Sequence, residues 1–135
     1  MRAKIDLISI VTDDLPAMRD FYRDVIGFPV ELELGENYVE FESEGVRFAI
    51  TTLDVMSEAT GGHPGYSRAR RGQFFELAFP CDTPKQVDED YARIVAQGAA
   101  PIQPPADMPW GQRAAFFADP DGNVHELFAS LREGE

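Results

Sequence analysis

The chain has 135 residues, with 24 acidic side chains against 12 basic ones and a formal net charge of −12. That length serves one domain, and a hydrophobic share of 44% excludes a wholly disordered chain. The acidity argues against a phosphate-binding face for nucleic acid and against docking to anionic lipid, and a lone Cys81 rules out an intrachain disulfide.

Residues 5–11, IDLISIV, alternate and are rich in β-formers, which predicts a strand covered on both faces. Asp13 or Asp14 then offers an N-cap, and Pro16 suits a first helical turn. Leu15, Met18, Tyr22, Val25 and Ile26 follow at helical spacing, and Gly27 ends the helix. Residues 29–34, 37–43 and 46–52 read as three strands, with Gly35 and Gly45 in the turns between them. Residues 53–72 break the pattern and read as a lid or linker. They hold His63 and three arginines, Arg68, Arg70 and Arg71.

The pattern then repeats. Residues 73–81, QFFELAFPC, read as a strand, with Cys81 as a small packed residue. Thr83 is an N-cap, Pro84 a first helical residue, and Val87, Tyr91, Ile94 and Val95 form the helical stripe that Gly98 closes. Residues 100–104, 113–119 and 123–130 read as strands, and Asp119-Pro-Asp-Gly makes the turn before the last. The order β-α-β-β-β therefore occurs twice, as module one (1–52) and module two (73–130), with a loose tail at 131–135. The expected fold class is α+β, a single domain of two βαβββ modules whose sheets form a cup.

The stretches DLPAMRDFYRDVIGF, FFELAFPCDTP and PWGQRAAFFADPDGNVHELF resemble the vicinal-oxygen-chelate superfamily, which includes glyoxalase, the bleomycin-resistance proteins and extradiol dioxygenases. The resemblance runs over nearly the whole chain. It implies two βαβββ modules forming a cup, usually in a homodimer, with a small molecule inside. Metal-binding members take a last ligand from a glutamate in the strand after the DPDG turn, which Glu126 matches. The other ligand positions fall on Glu76, Leu7 and Thr51, and a leucine has no lone pair to donate.

Three readings follow. The leading one is binding or sequestration of a small organic ligand, cationic or aromatic, of the kind the bleomycin-resistance type holds. Glu76 and Glu126 would be its polar anchors. Trp110, Phe48, Phe75 and Phe117 would form its walls, with Thr51 and Arg113 beside them. One member of each pair Phe74–Phe75 and Phe116–Phe117 must face the helix side, since strand side chains alternate. The second reading is acid/base catalysis without metal, in which Glu76 and Glu126 share a proton near neutral pH. The third is a metal-dependent lyase, isomerase or dioxygenase. No cofactor is expected on this ligand pattern; a divalent metal, if one binds, would use Glu126 and Glu76. His125 alternates with Glu126 and is expected on the opposite face. Nucleic acid and membrane are not expected partners, a second copy of the chain is, and the cytoplasm is the expected compartment.

Overall fold

A computed structural model describes residues 1–68, 72, 73 and 75–132. Arg70, Arg71, Phe74 and the last three residues of the tail lie outside these. The chain divides into two compact units, Met1–Arg71 and Gly72–Glu135. Among the described residues, each unit holds one four-stranded mixed sheet, and both sheets have the same topology.

In the first unit, β1 (Leu7–Thr12), β2 (Val30–Leu34), β3 (Tyr38–Phe41) and β4 (Arg47–Thr52) lie in the order β1-β4-β3-β2. β1 and β4 run parallel and the other pairs antiparallel, the pattern that a helix between the first two strands imposes. That helix opens as α1 (Leu15–Asp20), capped by the Asp14 carboxylate on the Ala17 amide at 3.2 Å. It continues as a π-helical turn over Phe21–Ile26. The Tyr22 carbonyl accepts from both Gly27 and Phe28, and Gly27 adopts a φ of 104°, a conformation that favours glycine. Phe41, Phe48, Val39 and Ile50 share the face beneath this helix. There Phe48 meets Phe41 (5.4 Å between ring centroids), Tyr22 (5.2 Å) and Phe28 (5.3 Å).

The opposite face of this sheet carries Tyr38, Glu40, Arg47, Thr51 and Leu7, in register. Glu40 is buried among them, and its carboxylate is fully engaged. It accepts from the Tyr38 hydroxyl at 2.6 Å and from Arg47 Nη2 at 2.8 Å and Nε at 3.2 Å. These donors hold the Glu40 carboxyl below its ordinary range, Arg47 first and Tyr38 second.

The span 53–72 is not all loop. It begins with α2 (Leu53–Ala59), whose N-cap is the Thr52 hydroxyl on the Val55 amide, and a short 3₁₀ turn follows at Pro64–Tyr66. Arg68 is paired with Asp54 at 3.0 Å, on the exposed side of α2.

The second unit repeats the plan. β5 (Ala78–Pro80), β6 (Ala100–Asp107), β7 (Gln112–Ala118) and β8 (Val124–Ser130) lie in the order β5-β8-β7-β6. The connecting helix, α3 (Pro84–Ala96), has the Thr83 hydroxyl as N-cap on Gln86. The strand expected over 73–81 is reduced to three residues, and side chains hold the chain ahead of it. The Gln73 amide takes both the N–H and the C=O of Val124, where a ladder partner would stand. Cys81 is half-buried, and its Sγ lies 3.8 Å from the Asp90 carboxylate. Burial first and Asp90 second push the thiol up to about 11, so it stays protonated. No helix among the described residues is long and apolar enough to cross a membrane.

Candidate carboxyl-pair site

The regular register of β7 against β8 decides which side chains share a face. It pairs Phe116 with Glu126, Phe117 with His125, and Ala114 with Phe128. α3 covers the face of His125, Leu127, Phe117 and Ala115. The Arg113 guanidinium confirms this, because it reaches Asp88 of α3 at 2.7 Å. Glu126, Phe116, Phe128 and Gln112 therefore stand on the face turned away from α3.

Glu76 joins them from the segment before β5. Ala78 is in register with Glu126, and Leu77 accepts the Glu126 amide at 3.0 Å. Two residues back, Glu76 places its carboxyl against that of Glu126. Glu76 is exposed and Glu126 half-buried. Burial is the largest cause of a raised Glu126 carboxyl, followed by the negative charge of Glu76 and a hydrogen bond to it. Together they push Glu126 up to about 7. A hydrogen bond between two carboxyl groups requires one proton, and Glu126, raised to about 7, is the group that keeps it as the pH climbs toward neutral.

The structure brings Glu76 and Glu126 together, and within the same unit it turns Phe117 and Arg113 to the other face of the sheet. Phe117 is fully buried beneath α3, with Phe79 and His125 as neighbours, and so is not a ligand wall. Two adjacent phenylalanines look alike in sequence, and only the strand register distinguishes them; Phe116 is the one beside Glu126. Arg113 is also on the α3 side, spent on Asp88 and, at 3.0 Å, on Asp107. Phe48 lies in the ring cluster under the first unit's helix. Thr51 lies on the opposite face of that unit's sheet and donates to the Asn37 carbonyl. Phe75 is exposed. Trp110, in the turn between β6 and β7, is 60% exposed, and its indole N–H donates to Gln112 Oε1 at 3.0 Å. The Glu40–Arg47–Tyr38 cluster escaped sequence reasoning; alternation in YVEF and RFAITT was the only signal that Glu40 and Arg47 share a face.

His125 lies on the face opposite Glu126, as alternation implied, and is 1% exposed there. Its Nε2 lies 3.6 Å from Asp119 Oδ2. The Asp119 carboxylate is itself the core of the DPDG turn, accepting from the amides of Asp121 (3.0 Å) and Asn123 (2.9 Å) and from the Asn123 side chain. Asp119→Ala leaves those donors without their acceptor, at an expected cost of about 2–3 kcal/mol. Urea denaturation reads it, and a loss below about 0.5 kcal/mol would show that the turn holds without the carboxylate.

A sequence model of the glyoxalase/bleomycin resistance protein/dioxygenase superfamily matches residues 4–127. The chain belongs to that superfamily. Solved relatives share the fold across its full length. A glyoxalase/bleomycin resistance protein/dioxygenase from Nocardioides is 31% identical with a TM-score of 0.86, covering 100% of this chain and 88% of that one. A lactoylglutathione lyase from Agrobacterium tumefaciens is 26% identical with a TM-score of 0.73, covering 99% and 98%. TnmS3, an antibiotic binding protein from Streptomyces sp. CB03234, is 27% identical with a TM-score of 0.67, covering 96% and 97%.

The donors brought together here do not make an imidazole-rich site of the zinc or non-haem iron kind. Zinc or non-haem iron wants three protein ligands rich in imidazole. Glu76 and Glu126 supply two carboxyls and no imidazole, and Leu7, which stands in sequence where the resemblance implies a further ligand, has no lone pair to donate. Among the described residues, no three or more His, Cys, Asp or Glu side chains are grouped so as to hold a metal ion.

Proposed function

We propose that this superfamily member binds a small organic cation on the α3-distal face of its second sheet, with the Glu76–Glu126 pair as the charged anchor. The observation that carries this reading is the juxtaposed carboxyl pair, flanked by Phe116 and Phe128 on the same face. A cation arriving at the pair replaces the shared proton and meets two carboxylates, while the rings supply apolar contact and cation–π attraction. The net charge of −12 draws cations toward the protein. The likeness to an antibiotic binding protein is consistent with a sequestering role, and a second copy of the chain is the partner this reading carries.

The test is fluorescence titration with a panel of cationic aromatic molecules, ethidium, acriflavine and bleomycin among them, across pH. Binding that competes with a proton weakens as the pH falls below the Glu126 value of about 7, by up to about tenfold per pH unit. Glu126→Gln is expected to weaken it at pH 8 by at least about tenfold. Affinity that is flat with pH and indifferent to this substitution would remove the pair from the site.

The proton shared by the pair also favours a second reading, acid/base isomerisation α to a carbonyl. One carboxylate would take the α-proton while its neighbour, protonated, supports the oxygen. Solvent deuterium exchange into small α-hydroxy carbonyl compounds, lost in Glu76→Gln, is the expected sign of it.

A further inference from the structure

His125 is a fully buried ionisable group one residue from Glu126, and its role is visible in the main chain. Its Nδ1 lies 3.0 Å from the Leu77 amide nitrogen and accepts that N–H. An imidazolium has no lone pair at Nδ1, so the bond exists only with a neutral ring whose proton is on Nε2, toward Asp119. The ring is also fixed edge-on by Phe79, at 6.2 Å and 83°, and by Phe117, at 6.0 Å and 68°.

The Leu77 amide belongs to the peptide that joins Glu76 to Leu77. Holding that N–H fixes the plane of the peptide and so the direction in which Glu76 leaves the backbone. The next peptide is fixed too, because the Leu77 carbonyl accepts the Glu126 amide at 3.0 Å. Regular pairing of β5 begins only at Ala78, and the Gln73 side chain occupies the Val124 main chain. Where the ladder has ended, the imidazole takes the amide. The same two residues of β8 thus grip Leu77 from both sides, one through its side chain and one through its backbone.

We infer that His125 is a positioning residue, which through the Leu77 amide sets Glu76 beside Glu126. This rests on the reading of that pair as the site, but its test does not require a ligand. In isotopically labelled full-length protein, a nitrogen–nitrogen coupling across the hydrogen bond between Leu77 and His125 Nδ1 is expected, together with nuclear Overhauser contacts between the Glu76 and Glu126 side chains. His125→Leu should abolish those contacts and speed exchange of the Leu77 amide by about tenfold or more, while amides of the β7–β8 ladder stay protected. His125→Asn, whose carbonyl can accept the same N–H, should restore the contacts and most of the protection. Absence of the coupling in the unsubstituted protein, or Glu76–Glu126 contacts unchanged in His125→Leu, would overturn the inference. If the contacts come apart as expected while ethidium binds no form of the protein, the positioning role stands and the cation-binding reading falls.

Discussion

Glu126→Gln is expected to stabilise the protein at pH 8 by on the order of 2 kcal/mol, and to change its stability little at pH 4. The sign follows from the direction of the shift. The folded state raises the Glu126 carboxyl from an ordinary 4.5 to about 7. Between those values the unfolded chain releases the proton and the folded one keeps it, so stability falls as the pH rises through the window. Above about 7 both states are ionised, and the folded state bears a half-buried carboxylate beside that of Glu76. Glutamine has the same shape and never ionises, which removes the cost. Denaturation curves of the two proteins at pH 4, 6 and 8 should diverge steadily. A constant difference across that range would show that Glu126 has the same affinity for its proton in both states. A substitution that gains stability while weakening a ligand is a common mark of a functional site.

Phe48→Ala is expected to cost about 3–4 kcal/mol and to act through the core of the first unit. The ring is 5% exposed and stacks on Phe41 with an interplanar angle of 25°, with Tyr22 and Phe28 against its other sides. Its removal opens a cavity bordered by three aromatic rings, which cannot all collapse into it. A wall of a ligand site behaves differently: its loss leaves stability within about 1 kcal/mol and falls on affinity. Urea denaturation of Phe48→Ala separates the two, and a small loss of stability would return Phe48 to the list of ligand contacts.

Periodicity and punctuation carried much of the fold. Thr83-Pro84 and Gly98 bracket α3 because a hydroxyl N-cap and a C-terminal glycine with φ of 117° are local requirements that only certain residues meet. The repeated βαβββ order follows from such local signals taken twice. What needed the third dimension was register. Phe116 and Phe117 are chemically identical, and only pairing with Glu126 and His125 tells which one faces α3. Arg113 went the same way, turned to Asp88 by one-residue alternation. The strand at residues 73–81 failed for another reason. Its composition is right for a strand, but side chains of Gln73 and His125 replace the ladder bonds there. That substitution puts Glu76 where a regular strand end would be less constrained. Glu126 was legible from its motif, and Glu76 stood out as a charge in an apolar run. Their hydrogen-bonded contact lay beyond the reach of sequence.

The most direct measurement is the pH titration of the Glu126 side-chain carboxyl carbon by NMR, in the unsubstituted protein and in Glu76→Gln. A midpoint near 7 is expected in the first. In the second it should fall, yet stay above the ordinary carboxylate range, because burial is the larger cause and the charge of Glu76 the smaller. A Glu126 midpoint near the ordinary 4.5 in the unsubstituted protein would contradict the shared proton and the site built on it.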